Sequence, residues 1–106
     1  MAYDDVAWDD ENPVPGKLFN KQEGTDVYEG CKLDYSGKDV HAENFMAIMK
    51  GDEQGLNITE GSNSTKKVLK SDQNTKLFLY FSDHGAPGHL MFPDTVIYAD
   101  ELNNTI

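Results

Sequence analysis

The stretch that most limits how this chain can fold is Leu77-Phe78-Leu79-Tyr80-Phe81. Its apolar side chains do not alternate with polar ones, and it is rich in aromatics. Such a run suits a strand buried on both faces, as in a parallel sheet covered by helices, because a half-exposed strand would show a period of two. Parallel pairing needs a neighbouring strand reached through a crossover, and no other segment is a candidate for a central strand. The expectation is an α/β chain that is an excerpt of a larger domain, lacking partners at both ends.

The rest of the sequence supplies flanking elements. From Met1 to Lys38 no helical or strand period is sustained, and Asn12-Pro13-Val14-Pro15-Gly16, Glu23-Gly24, Glu29-Gly30 and Ser36-Gly37 punctuate it. Structureless stretches longer than ~15 residues are uncommon inside compact domains. The aromatics Tyr3, Trp8, Phe19, Tyr28 and Tyr35 argue against disorder, so this segment is read as an extended excursion packing onto something else. Ala42, Phe45, Met46 and Met49 recur at helical spacing and predict an amphipathic helix over Ala42–Lys50. Gly51 is its stop, and Asp39 just upstream is placed to cap it. Asp52–Lys67, rich in Gly, Asn, Ser and Thr, reads as a surface loop. It holds two glycosylation sequons, at Asn57 and Asn63, and a third lies at Asn103. Met91-Phe92 and Val96-Ile97-Tyr98 predict two short strands around Pro93-Asp94. Asp100–Ile106 reads as a helix with Leu102 and Ile106 on one face.

Charge and composition exclude several classes. Nine lysines and no arginine stand against 19 acidic residues in a 106-residue chain, a net charge of −10. A nucleic-acid or anionic-membrane partner is not expected, since both attract basic side chains. No apolar run approaches the ~20 residues that cross a bilayer, and the N-terminal residues lack the basic flank and apolar core of a signal peptide. Acidity also suggests that lowering the pH from 8 to 5 relieves self-repulsion and favours folding of the parent protein. The single cysteine, Cys31, cannot form an internal disulfide. It sits in a turn-rich segment with no base or helix N-terminus to lower its pKa, so it is not read as a nucleophile. Asp4-Asp5 and Asp9-Asp10-Glu11 read as solvated carboxylates; a calcium site would need a convergence the sequence does not show. His41 and His89 read as surface residues, and His84 with His89 lacks the further ligands of a zinc site. No metal or cofactor is expected.

His84 follows the apolar run directly, in Ser82-Asp83-His84-Gly85-Ala86-Pro87-Gly88. Reactive crevices of open α/β sheets lie at the carboxyl ends of strands, where this imidazole would be held at the rim of an enclosed strand. Here the sequence resembles the legumain family of cysteine endopeptidases, also known as asparaginyl endopeptidases, vacuolar processing enzymes or haemoglobinases. The resemblance is carried by Tyr3-Asp4-Asp5-Val6-Ala7, Asn12-Pro13-Val14-Pro15-Gly16, Gly24-Thr25-Asp26-Val27-Tyr28, Asp34-Tyr35-Ser36-Gly37, Asn44-Phe45, Gly51-Asp52, Lys67-Val68-Leu69-Lys70-Ser71 and the whole of Phe78–Gly88. It departs around Asp52–Lys66 and Gly30–Leu33.

The resemblance implies a caspase-like three-layer α/β/α domain with a mostly parallel sheet. Residues 1–106 would be a partial peptidase domain lacking the first strand and the strand that bears the nucleophile. His84 would be the general acid/base and Gly85 the backbone donor to the oxyanion, with Asp83 a possible accessory. The family's nucleophilic cysteine, in a Glu-Ala-Cys motif, is absent from this sequence. So is the Arg-His element of the pocket that selects asparagine. The implied activity of the parent is cleavage of peptide bonds after Asn in lysosomal or vacuolar protein processing, with protein or peptide substrates and cystatin-type inhibitors as partners. The chain alone is expected to be inactive. The alternative is a truncated, non-catalytic binding or decoy protein.

Overall fold

A computed structural model describes residues 1–3 and 6–106. Two short 3-10 turns, Val6–Trp8 and Gly37–Asp39, precede α1 (Ala42–Lys50). A long irregular stretch then leads to β1 (Gly85–Ala86), β2 (His89–Met91), β3 (Val96–Tyr98) and α2 (Ala99–Thr105). The strands form one antiparallel sheet in the order β1-β2-β3, with Gly85 opposite Leu90 and Leu90 opposite Ile97.

α1 has the predicted bounds, and its apolar stripe explains why it stays folded. Ala42 and Phe45 join Tyr35, Val40, Phe92 and Ile97 in one buried cluster, with Met46 and Met49 packed against it. Burial of this face supplies stability that a nine-residue helix would not have alone. The Ala42 N–H donates to Thr95 Oγ1 at 2.8 Å, which ties the helix start to the β2–β3 turn. Gly51 ends the helix in the left-handed region at φ +70°. A Cβ there would approach the Leu69 carbonyl oxygen to 2.8 Å, while the Leu69 N–H donates to the Ile48 carbonyl, so both conformation and space require glycine.

The cap is not Asp39. His41 occupies the N-cap position, and its Nδ1 accepts from the Asn44 N–H at 3.4 Å. Asp39 lies in the preceding 3-10 turn with its carboxylate directed elsewhere.

Val96–Tyr98 is a strand as expected and α2 begins one residue earlier than expected, at Ala99, but the strand expected at Met91-Phe92 spans His89–Met91 and leaves Phe92 beyond its end, in the core. Glu101 Oε2 accepts from the Tyr98 N–H at 2.9 Å, satisfying one of the unpaired donors at the helix start. Leu102 packs on the core, but Ile106 is exposed and Thr105 is the buried residue beside it. The excursion before Lys38 is ordered by hydrogen bonds within itself, both short-range and end to end. Asp26 Oδ1 accepts from the Leu18 and Tyr28 amides, and the Ala2 N–H donates to the Tyr35 carbonyl at 2.9 Å.

The largest departure concerns residues 77–81. They form no strand, and the sheet among the described residues is antiparallel only. Phe78 is 87% and Tyr80 77% exposed; of the run only Phe81 is half-buried, its ring centroid 5.3 Å from that of Phe92. A strand needs a neighbour to take its backbone hydrogen bonds, and no described segment pairs with this one. An unpaired apolar stretch of this composition is a template for intermolecular pairing. The purified chain is therefore expected to give a weak far-UV circular dichroism spectrum and to self-associate. Replacing Phe78 and Tyr80 by Lys should shift it to monomer in size-exclusion chromatography with light scattering. Unchanged association of that variant would locate the contact elsewhere.

Candidate functional site

The segment Ser82-Asp83-His84-Gly85 joins the apolar run to the hairpin. The His84 carbonyl accepts from the Met91 N–H at 3.0 Å, which fixes the backbone of His84 to β2. Gly85 begins β1, and a Cβ on it would come within 3.3 Å of the His89 carbonyl oxygen. The Pro87-Gly88 turn, with Gly88 at φ +84°, reverses the chain. The imidazole is thus carried on an ordered hairpin root.

Asp83 and His84 form a local pair. Asp83 Oδ1 accepts from the His84 N–H at 2.6 Å and lies 3.0 Å from His84 Nδ1. The His84 backbone N–H, followed by its ring, holds the Asp83 carboxyl below the usual range. An imidazole that keeps its Nδ1 proton on Asp83 leaves Nε2 unprotonated and able to take a proton.

The surroundings of His84 differ from expectation. Its side chain is 90% exposed, and the segment before it is not an enclosed strand, so the ring stands in solvent. The reason is the one given for residues 77–81: without a paired strand, nothing builds a rim around the ring. An apolar cavity of about 550 Å³ comes near, lined by Leu79, Tyr80, Phe81, Phe45 and Phe92 and reaching Ser82 and Asp83.

Of the other titratable residues, Cys31 lines the same cavity that reaches Asp83. Cys31 is exposed, and its Sγ donates to the Val27 carbonyl at 3.5 Å. His41 caps α1, and His89 is half-buried with its ring 5.8 Å from that of Tyr98, so neither is a bare surface residue. Asp9 Oδ1 accepts from the Glu11 N–H within its own turn. Asp4 and Asp5, the other acidic pair, lie outside the described residues. Among the described residues no three His, Cys, Asp or Glu side chains converge to hold a metal ion. No described helix is long and apolar enough to cross a membrane.

Sequence reasoning missed a buried polar knot. Asp39 is 1% exposed and accepts from the Thr59 N–H at 2.8 Å, from Ser64 Oγ at 2.6 Å and from Ser62 Oγ. Asn44, 0% exposed, donates to the carbonyls of Asp39 and Asn57 and accepts from the Asn57 N–H at 2.7 Å. The loop after Gly51 is therefore pinned at residues 57, 59, 62 and 64. Burial alone would raise the Asp39 pKa, but the hydroxyls of Ser62 and Ser64 and the Thr59 N–H outweigh it and hold the carboxyl far below the ordinary range. The signal in the sequence was the cluster of small hydroxyl residues after an Asp, which reads equally well as a plain solvated loop.

The sequence matches the Peptidase C13 family over residues 1–106. The chain belongs to that family. It is 48% identical over its whole length to the legumain of Rattus norvegicus, of which it covers 23%. It is 45% identical over its whole length to the hemoglobinase of Schistosoma mansoni, again covering 23%. Its full length also aligns at 45% identity with the vacuolar-processing enzyme of Vicia sativa, covering 21% of that protein. The chain thus spans less than a quarter of the length of these relatives.

Proposed function

We propose that this chain is the histidine-bearing part of a cysteine endopeptidase that cleaves peptide bonds after asparagine in lysosomal or vacuolar protein processing. The observation that carries this reading is the Ser82-Asp83-His84-Gly85 segment, with Nδ1 of His84 held at Asp83 and its backbone fixed to β2, in a chain that matches the family throughout. His84 Nε2 accepts the proton of a cysteine thiol supplied outside these 106 residues. The thiolate attacks the substrate carbonyl, and His84 returns the proton to the leaving amine. The Gly85 N–H, at a residue with no side chain in the way, stabilises the developing oxyanion.

In this reading residues 1–106 are a partial peptidase domain of a caspase-like, three-layer architecture. Residues 77–81 become a strand when neighbours of the parallel sheet pair with them, which encloses the site and brings His84 to a crevice. Substrates are proteins or peptides with an accessible Asn, and cystatin-type proteins are candidate inhibitors. The chain alone holds no thiolate at His84 and turns over no substrate. An Ala-Ala-Asn reporter assay at pH 5 to 6 tests this directly: any hydrolysis by the purified chain would contradict the reading, and hydrolysis that survives thiol blockers would contradict the cysteine mechanism itself.

A further inference from the structure

Two of the three sequons lie in the loop pinned by Asp39 and Asn44. The main chain of Asn57 is fixed on both sides, its N–H donating to Asn44 Oδ1 at 2.7 Å and its carbonyl accepting from Asn44 Nδ2 at 2.9 Å. Asn63 sits between Ser62 and Ser64, whose hydroxyls are both committed to Asp39. Yet the carboxamides of Asn57 and Asn63 are exposed and make no hydrogen bond among the described residues. The buried bonds come from the neighbours, and the two carboxamides are left for solvent.

We propose that Asn57 and Asn63 both carry N-linked oligosaccharide, so that the pinned loop is a glycan-bearing face of the protein. The donor is an oligosaccharide on a lipid pyrophosphate. The bond from its anomeric carbon to the phosphate oxygen breaks, and a bond from that carbon to Asn Nδ2 forms. The amide proton leaves, and the pyrophosphate lipid is released. A substituent on either Nδ2 displaces no bond of the fold. The loop bonds use the Thr59 N–H and the Thr65 side chain, which donates to Asp34 Oδ1 at 3.1 Å, and both threonines remain exposed. The Asn103 sequon differs, because its Thr105 is buried in α2 with the hydroxyl donating to the Glu101 carbonyl at 2.7 Å. The proposal is confined to the loop.

This inference rests on the secretory route contained in the proposed function, and its test supplies that route independently. The chain is expressed in eukaryotic cells behind a secretion leader, in an Asn103→Gln background so that only the loop sequons report. Electrophoresis before and after peptide-N-glycosidase treatment should show two carbohydrate steps. Asn57→Gln and Asn63→Gln should each remove one. A single step, or none, overturns the proposal whatever the peptidase activity of the parent. Far-UV circular dichroism of the glycosylated chain and of its Asn57→Gln/Asn63→Gln variant should coincide; loss of helix on glycosylation would also overturn it.

Discussion

Replacing Asp39 by Ala should be the most damaging single substitution in this chain, costing on the order of 3 kcal/mol of the local stability of the 57–64 loop and the start of α1. The substitution removes one carboxylate and leaves the half-buried bonds from the Thr59 N–H and the Ser62 and Ser64 hydroxyls without their Asp39 acceptor. Hydrogen exchange at the Thr59 amide should accelerate by about 100-fold, the factor that corresponds to this cost. Asp39→Asn should recover part of the loss, since its carboxamide oxygen accepts one of the three bonds but carries no charge. Unchanged exchange at Thr59 in Asp39→Ala would show that the knot does not hold the loop.

The same group sets how the chain responds to acid. The folded pKa of Asp39 is depressed below its ordinary value of 3.8, so its contribution is present above about pH 4 and is lost as the pH falls through the folded value. Asp26, Asp34, Asp72 and Asp83 are depressed in the same direction, with backbone and side-chain hydrogen bonds as the main causes. All are ionised in folded and unfolded chains between pH 5 and 8, and so add no slope there. Loss of these carboxylate bonds weakens the fold only below about pH 4. The loop after Gly51 should remain pinned at pH 5.

The second large effect concerns activity. Substituting residues 1–106 for the aligned segment of the rat legumain, to which they are 48% identical, should give a chimera that cleaves an Ala-Ala-Asn reporter, whereas the chain alone gives none. In the proposed reading the host supplies neighbours for residues 77–81 and the thiol, while this chain supplies His84, Gly85 and the α1 face. Cys31→Ser in the chimera should leave kcat/KM unchanged, because the proposed mechanism assigns the attack to the host's thiol and the exposed Cys31 Sγ donates to the Val27 carbonyl. A folded chimera without activity would favour a non-catalytic binding role for the chain.

Legibility of the fold followed the range of the forces involved. α1 was readable to the residue because its stripe, its Gly51 terminator and its last-turn Lys50 are all local. The turn at Pro93-Asp94 and β3 were readable for the same reason, whereas β2 runs two residues further upstream than the apolar pair Met91-Phe92 because it pairs with β1 as well as β3. Residues 77–81 carry the composition of an enclosed strand, but a strand is a relation between segments, and composition cannot create the partner. The Asp39 knot was illegible for a related reason: its members lie up to 25 positions apart in sequence, and Asp, Ser and Thr near a helix start read first as caps. His84 was singled out from its place after an apolar run and from the family pattern around it. Its pairing with Asp83 lies between adjacent residues, whereas its exposure depends on elements outside the local sequence.

The measurement that bears most directly on the proposed chemistry is the kcat/KM of the chimera carrying His84→Ala, taken with titration of its active-site thiol by an alkylating reagent. If His84 accepts the thiol proton and returns it to the leaving amine, kcat/KM should fall by about 10³-fold or more, and the alkylation rate at pH 6 should fall with it. A His84→Ala chimera that retained both would show that some other group performs the proton transfer.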